Sequence, residues 1–411
     1  MAKITELLVK KDNLTLIKTN KYKDITISIK CAFEYDKKLK ASLTVLSLML
    51  QDLCEKYPSK KDMAKAKDML YGLGFDCVTS NTGDLLTLSF TYNFTNPRFF
   101  DDVNERNYID YIEETIKRPL LTDKLLEECK RIVIDSIKRK QDKPSYYATV
   151  RFGEIVAKDD KRFDVNSNLK EDDINNLTLN DVLDAYNNLF ESRVDIFLIG
   201  DYTDELVDYL SSYKSKKDLH CLVKPLDLGD SKEIIEKKDV GQSSLIVSYK
   251  TPYVRTSKEY YAFNMGNILF GGIPSSLLFS EVREKDNLCY VIYSKGLRYE
   301  GLVYVSTLID SKNKDKALEE IRKQFKRIVD KDYDPNLLEV AKKMLISNSL
   351  SIDDDLDYLI SYYYESSLSD TFISIEDYSK MVSNISVDDV SNVFSNYKEY
   401  LVYFLEGTLN E

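Results

Sequence analysis

Histidine is almost absent from this chain of 411 residues, where it occurs once, at His220. That residue lies in a polar, charged stretch beside Cys221, so no second imidazole can stand at helical spacing from it. A histidine metal site, or a hydroxyl or thiol nucleophile activated by imidazole, needs suitably placed histidines. The composition therefore argues against these catalytic classes, and a lone histidine in such a stretch is typical of a solvated residue.

Paired cysteines and long apolar runs are also missing. The six cysteines are scattered without a CxxC pair, which favours reduced thiols over a disulfide framework or a zinc ribbon. The first fifteen residues hold no apolar core of signal-peptide length, and the best apolar run, 43–50, is too short to span a bilayer. We therefore expect a cytoplasmic protein without membrane contact.

The chain has no Walker loop, GxGxxG or GxSxG sequence, so neither a nucleotide cofactor nor a serine-hydrolase site is expected. Its net charge is −11, which disfavours nucleic acid as a partner and suits a basic peptide. Hydrophobic content of 43% and charged content of 31% indicate a globular protein. At this length, two domains are the default expectation.

Periodicity predicts helices and strands along the whole chain. Residues at helical spacing predict helices over 40–56, 97–117 and 122–141, and alternation predicts a half-buried strand over 25–33. The sequence thus favours an α+β protein, with antiparallel or mixed sheets packed against helices.

A weak repeat relates the two halves of the chain. Residues 174–183 resemble 382–391, and each copy starts a helix with a capping box, Thr178 with Asp181 and Ser386 with Asp389. Each helix leads into an apolar strand that ends in glycine. We predict two homologous α+β domains, residues 1–213 and 238–411, joined by a charged linker at 214–237.

The most informative stretch is residues 271–290, GGIPSSLLFSEVREKDNLCY. Two glycines and a small-residue turn precede an amphipathic run that carries Arg283, and a strand-like segment follows with Tyr290. Arginine offers a fixed cation with a forked donor set, and tyrosine offers a phenol donor. Taken alone, the two residues also fit an arginine near a helix C-terminus and a tyrosine packed on a strand.

This stretch resembles the signature of the C-terminal domain of insulinase-like (pitrilysin-type) metallopeptidases. The matching residues are SLLFSEVREK at 276–285 and LCY at 288–290. The resemblance implies a duplicated fold, a clamshell whose halves face each other across a chamber. It also implies that Arg283 and Tyr290 bind the substrate backbone near the scissile bond.

The zinc motif of that family is missing. In the family, an inverted His-x-x-Glu-His sequence on a helix supplies two zinc ligands and a base. Its spacing puts that motif at residues 48–52, where Leu48, Gln51 and Asp52 replace the two histidines and the base. Where the family's third ligand would fall, near residues 131–137, Asp135 and Ser136 replace the usual pair of glutamates. We therefore predict no bound metal and no peptidase activity by this chain alone.

A finer resemblance links the chain to a Gram-positive branch of the family that lacks the zinc motif and is associated with elongation factor P modification. It is carried by the run at 141–151 and by Tyr71-Gly72. The resemblance implies a non-catalytic subunit that binds peptide and forms a heterodimer with a zinc-bearing paralogue, like the glycine-loop subunit of the mitochondrial processing peptidase. A homodimer, a pure scaffold like the core subunits of the respiratory bc1 complex, and an active peptidase with unorthodox ligands are the alternatives.

Overall fold

The computed structural model describes residues 8–408, so part of the N-terminal stretch considered above lies outside the described residues. The chain divides into two compact units of mixed sequence origin. The first contains the described residues up to Ile137, together with Leu169–Cys221 and Asp355–Leu368. The second contains Lys138–Asn168, Leu222–Asp354 and the described residues from Ser369 onward. Each unit therefore includes one segment from the opposite half of the sequence.

The first unit is built on a mixed sheet of six strands. The strands are β1 (Leu8–Lys11), β2 (Leu14–Lys18), β3 (Asp24–Glu34), β4 (Gly74–Thr82), β5 (Leu85–Thr95) and β6 (Arg193–Gly200). Their order in the sheet is β1-β2-β6-β3-β5-β4. Strands β2 and β6 are parallel, and the other neighbours are antiparallel.

The helices grouped with this sheet begin mostly at polar caps. Asp36 accepts a hydrogen bond from the backbone N–H of Leu39, which starts the first helix three residues before the predicted position. Asn104 and Asn107 form a capping box, so the helix predicted from residue 97 begins at Glu105 instead. The helices are α1 (Lys37–Asp52), α2 (Lys60–Met69), α3 (Glu105–Lys117), α4 (Asp123–Gln141, which continues into the second unit), α6 (Glu171–Asn175), α7 (Leu179–Asn187), α8 (Asp204–Leu210) and α12 (Leu356–Ser369).

Strand β3 is buried on both faces, whereas the alternating sequence predicted a half-buried strand. Its polar residues Thr26 and Ser28 are as inaccessible as its isoleucines. Helix α12 covers the part of this face near Lys30, because the Tyr364 and Thr87 hydroxyls are hydrogen-bonded at 2.8 Å and the Lys30 ammonium lies 5.1 Å from the Tyr364 ring centre. Part of a polar sheet face is thus covered by a helix that comes from the far half of the sequence.

The second unit repeats the same topology with five strands. The strands are β7 (Lys232–Lys238), β8 (Ser243–Lys250), β9 (Cys289–Leu297), β10 (Leu302–Ile309) and β11 (Lys398–Gly407), in the sheet order β7-β11-β8-β10-β9. Strands β7 and β11 are parallel, like β2 and β6, and the other pairs are antiparallel. The α-helices are α5 (Pro144–Asp159), α9 (Tyr260–Asn267), α10 (Lys314–Val329), α11 (Pro335–Leu350), α13 (Ile375–Ser383) and α14 (Val387–Ser395).

The shared strand order and the two capping boxes support the internal repeat. Both predicted boxes form, one at the start of α7 and one at the start of α14. The α+β fold with two sheets packed against helices is confirmed. Strand β7 lies almost entirely within the predicted linker. Its charged sequence KEIIEKK is typical of a solvated segment and so does not predict a strand.

No helix among residues 8–408 combines the length and the apolar character that a membrane span requires. All six cysteines are buried free thiols.

Candidate functional site

The Arg283 motif lies on an irregular helix, Leu278–Lys285, which has π-helical hydrogen bonding. Its apolar side is anchored by the fully buried Leu278 and Val282. Gly271 enables the close approach to β9, since a Cβ atom there would lie 2.7 Å from the backbone nitrogen of Ser294. Short π-helical segments are frequent at functional sites, so the geometry suits a positioned side chain. We call Leu278–Lys285 the motif helix.

Arg283 is half-buried, and its guanidinium carbon lies 4.3 Å from the ring centre of Phe279. Among the described residues it has no carboxylate in ion-pair range. Glu281 lies two residues before Arg283, but its carboxylate pairs with Lys285 at 2.8 Å and with Arg327 at 3.1 Å. The guanidinium of Arg283 is therefore held by packing, and no protein carboxylate in the described chain occupies its five N–H donors.

Tyr290 occupies a β-bulge on the edge strand β9. Its neighbours Cys289 and Val291 pair with the consecutive residues Ile309 and Leu308 of β10, which leaves Tyr290 without a partner. A bulge re-aims the extra side chain, and the Tyr290 side chain is 73% exposed. The phenol is thus presented to solvent at the open side of the sheet.

The motif helix leads through residues 286–288 into β9, and Tyr290 is the second residue of that strand. Burial raises the pKa of the Cys289 thiol, and the positive charge of Arg283 opposes that shift. No hydrogen bond joins Arg283 to Tyr290 in the described chain, so each donor is available to a third group. Their role in binding remains a prediction.

The helix that carries the predicted zinc-motif positions is α1. Leu48 offers no ligand atom, and the Gln51 amide donates hydrogen bonds to the carbonyl oxygens of Ser47 at 2.8 Å and Cys77 at 2.9 Å. Gln51 therefore fastens α1 to β4, a structural task that a carboxylate base could not perform because it has no donor.

Asp52, the last residue of α1, belongs to an ion-pair cluster that sequence reasoning missed. The Lys60 ammonium lies 3.0 Å from Asp52 and 2.7 Å from Glu128. The hydrogen bond to Lys60 lowers the pKa of Glu128, and the bonds to Glu128 and Asp52 raise the pKa of Lys60. We call these three residues the Lys60 cluster.

The α4 residue in this cluster is Glu128, whereas the third-ligand position expected near Asp135 lies outside the cluster and remains a prediction. Asp135 is exposed seven residues further along α4, or roughly 10 Å along the helix axis. No local pattern marks Glu128, since its link to Asp52 runs through Lys60 of α2.

These residues do not fit a zinc ion. Leucine and a donating glutamine replace two of the groups that zinc chemistry needs, and the remaining carboxylate, Asp52, already binds a cation. His220 lies 3.1 Å from Asp218, two residues away, and 40% of its side chain is exposed. Among residues 8–408, no group of three or more histidine, cysteine or carboxylate side chains is arranged to hold a metal.

Known proteins resemble this chain along its whole length. A family model described as "Peptidase M16 inactive domain" matches residues 176–345, which include Arg283 and Tyr290. The protein named probable inactive metalloprotease YmfF, from Bacillus subtilis, is 23% identical over 423 residues, covering 99% of both chains.

Two solved structures share the fold. A conserved protein from Enterococcus faecalis is 20% identical with a TM-score of 0.89, and the match covers 97% of this chain and 98% of that one. A structure described as the peptidase M16 inactive domain from Pseudomonas fluorescens is 15% identical with a TM-score of 0.80, covering 98% of each chain.

Proposed function

The chain belongs to the insulinase-like (M16-type) metallopeptidase family as a member without catalytic activity of its own, and from this premise we propose that it is a peptide-binding subunit that pairs with a zinc-bearing paralogue. The observation that carries the proposal is the pair of available donors, Arg283 and Tyr290, at the start of an open edge strand.

The two edge strands of the second sheet differ in how they are protected. Strand β7 reads KEIIEKK, and such a charged edge resists pairing with another chain. Strand β9 reads CYVIYSKGL, with one charged residue, Lys295. An extended peptide can therefore add main-chain hydrogen bonds at β9 far more readily than at β7.

Arg283 and Tyr290 would then act on a peptide carbonyl. When a zinc-bound hydroxide attacks an amide, negative charge develops on the carbonyl oxygen, and one well-placed donor stabilises it by roughly 3–4 kcal/mol. The zinc would come from the paralogue, so this chain supplies donors across the subunit interface or holds the peptide farther along. In either case the net charge of −11 favours basic peptides.

A scaffold without peptide binding is the second candidate. It is favoured by the Glu281 ion pair with Arg327, which ties the motif helix to α10 and gives part of the motif a structural task. A scaffold would still pair with other subunits, but its Arg283 and Tyr290 would not affect turnover.

The test begins with the zinc-bearing paralogue recovered by pull-down from native cells and measures peptide cleavage by the mixed complex. We expect Arg283→Ala and Tyr290→Phe to leave assembly intact and to lower turnover roughly ten- to a thousand-fold. Matched controls are Arg106→Ala, whose ion pairs stay within α3, and Tyr358→Phe on α12. Wild-type turnover by complexes that contain either motif variant would favour the scaffold.

A further inference from the structure

One member of the Lys60 cluster, Asp52, stands at a position where the family resemblance puts a zinc ligand, and its partner there is an ammonium group. We propose that the Lys60 ammonium is a built-in replacement for the metal cation, binding Asp52 and Glu128 so that the site stays closed to divalent ions. This inference is independent of peptide binding at Arg283 and Tyr290.

The three members come from three different helices. Asp52 is the last residue of α1, Lys60 is the first residue of α2, and Glu128 lies in α4. One ammonium within 3.0 Å of both carboxylates leaves little room for a second cation between them. The ammonium nitrogen of Lys60 therefore neutralises the two carboxylates, as a bound metal ion would.

The segment between α1 and α2 holds Lys60 in this position. Its backbone pairs with the segment before α4, through Glu55 N–H to Arg118 O at 2.9 Å and Leu120 N–H to Leu53 O at 3.1 Å. The Ser59 hydroxyl then caps α2 by accepting a hydrogen bond from the backbone N–H of Asp62 at 3.1 Å. The ammonium is thus placed by a fixed turn and a defined helix start.

A lysine can reproduce the charge of a metal but not its chemistry. Its bonds to Glu128 and Asp52 raise the pKa of Lys60, so it stays protonated at neutral pH and cannot serve as a base. An ammonium also has no open coordination position at which water could be activated. The cluster therefore neutralises Asp52 and Glu128 without zinc and offers no position for water activation.

The side chains of Lys60 and Glu128 are about half exposed, so the cluster contributes little to stability, and metal affinity is the sharper measurement. The probe is Mn²⁺, which prefers carboxylate ligands, followed by the loss of the free-ion electron paramagnetic resonance signal during titration of the full chain. We expect Lys60→Ala to bind Mn²⁺ roughly ten-fold or more tightly than the wild type, because a repelling cation is gone.

The controls separate the cluster from general surface charge. Lys65→Ala removes an exposed lysine from the same helix, and Lys60→Arg keeps the cation, so both should bind Mn²⁺ like the wild type. Adding Glu128→Gln to Lys60→Ala should cancel the gain. Should alanine weaken α2, Lys60→Met retains the aliphatic stem and repeats the test. The proposal would be overturned if Lys60→Ala bound Mn²⁺ no more tightly than Lys65→Ala does. It would also be overturned if the gain in Mn²⁺ affinity persisted after Glu128→Gln was added.

Discussion

Gln51 shows at the scale of single residues why the zinc motif cannot be restored by substitution of the motif alone. Its amide donates to the carbonyls of Ser47 and Cys77. A glutamate at this position would set a carboxylate against two carbonyl oxygens, while Lys60 would remain beside position 52. The contacts around α1 would therefore oppose a restored zinc motif.

We expect the triple variant Leu48→His, Gln51→Glu, Asp52→His to remain inactive as a peptidase. The Lys60 ammonium would repel zinc at the new imidazoles, and the introduced glutamate would not be oriented as a base. The measurement is cleavage of a quenched fluorescent peptide library with and without chelator, with Gln51→Ala in place of Gln51→Glu as the control. Strong cleavage that the chelator abolishes would show that the site needs only its ligands.

Sequence reasoning succeeded for residues whose partners are near in the chain and failed where packing brings distant ones together. Thr178 with Asp181 and Ser386 with Asp389 are each three positions apart, and both predicted capping boxes form. Lys60 and Glu128 lie 68 positions apart on separate helices. Only the packing of α1, α2 and α4 makes them neighbours, so no local pattern could have predicted the pair.

At the scale of elements, the two capping boxes offer a matched pair of helix starts. Thr178 caps α7 and Ser386 caps α14, each through a hydroxyl that accepts the backbone N–H of an aspartate three residues later. We expect Thr178→Ala and Ser386→Ala to lower the free energy of unfolding by about 1 kcal/mol each. Urea denaturation of both variants beside the wild type measures this, and a change in one box alone would contradict their equivalence.

The carboxylates of the two boxes should differ in their pH dependence. Lys38 bonds to Asp181 and holds the pKa of that carboxyl at about 2, whereas the pKa of Asp389 is lowered chiefly by the Ser386 hydroxyl. A carboxyl whose pKa falls on folding adds stability that is complete above its unfolded value of about 4. The stability that Asp181 adds should therefore be lost as the pH falls from about 4 through 2. The stability difference between wild type and Asp181→Asn should vanish over that range, in urea titrations repeated at several pH values.

Elements with clear periodicity or caps were predictable, and elements hidden by their environment were not. The boxes at α7 and α14 follow from side-chain chemistry within four residues. The charges of β7 predict a solvated linker equally well, and only its pairing with β11 defines it as a strand. The alternating sequence of β3 predicts a half-buried strand. The helix that covers part of it, α12, is more than 300 positions away in the sequence.

At the scale of the whole molecule, the compact units do not coincide with the halves of the sequence. Helix α5 precedes the predicted linker but belongs to the second unit, and α12 follows the linker but belongs to the first. The sequence of neither helix indicates which sheet that helix covers. The boundaries at 213 and 238 therefore remain a prediction about the repeat, and they are poor places to cut the chain.

Helix α5 fills one face of the second sheet with apolar side chains. Phe152 is 2% exposed, and its ring centre lies 5.2 Å from that of Tyr304 on β10 and 6.3 Å from that of Phe163. Ala148, Ile155 and Val156 pack in the same cluster. Truncation of one such aromatic residue typically costs about 3–5 kcal/mol, so Phe152→Ala alone should strongly destabilise the second unit.

A fragment of residues 238–411 should therefore fail to fold cooperatively. It would lack α5 and nearly all of β7, leaving the apolar face of β8, β10 and β11 open to water and the edge of β11 unpaired. We expect dye binding typical of exposed apolar surface and a broad thermal transition by circular dichroism. Extending the fragment to residue 222 and fusing residues 138–168 through a flexible linker should restore a sharp transition, because both missing elements return. A sharp transition in the 238–411 fragment itself would mean that the second half of the chain is a self-sufficient domain.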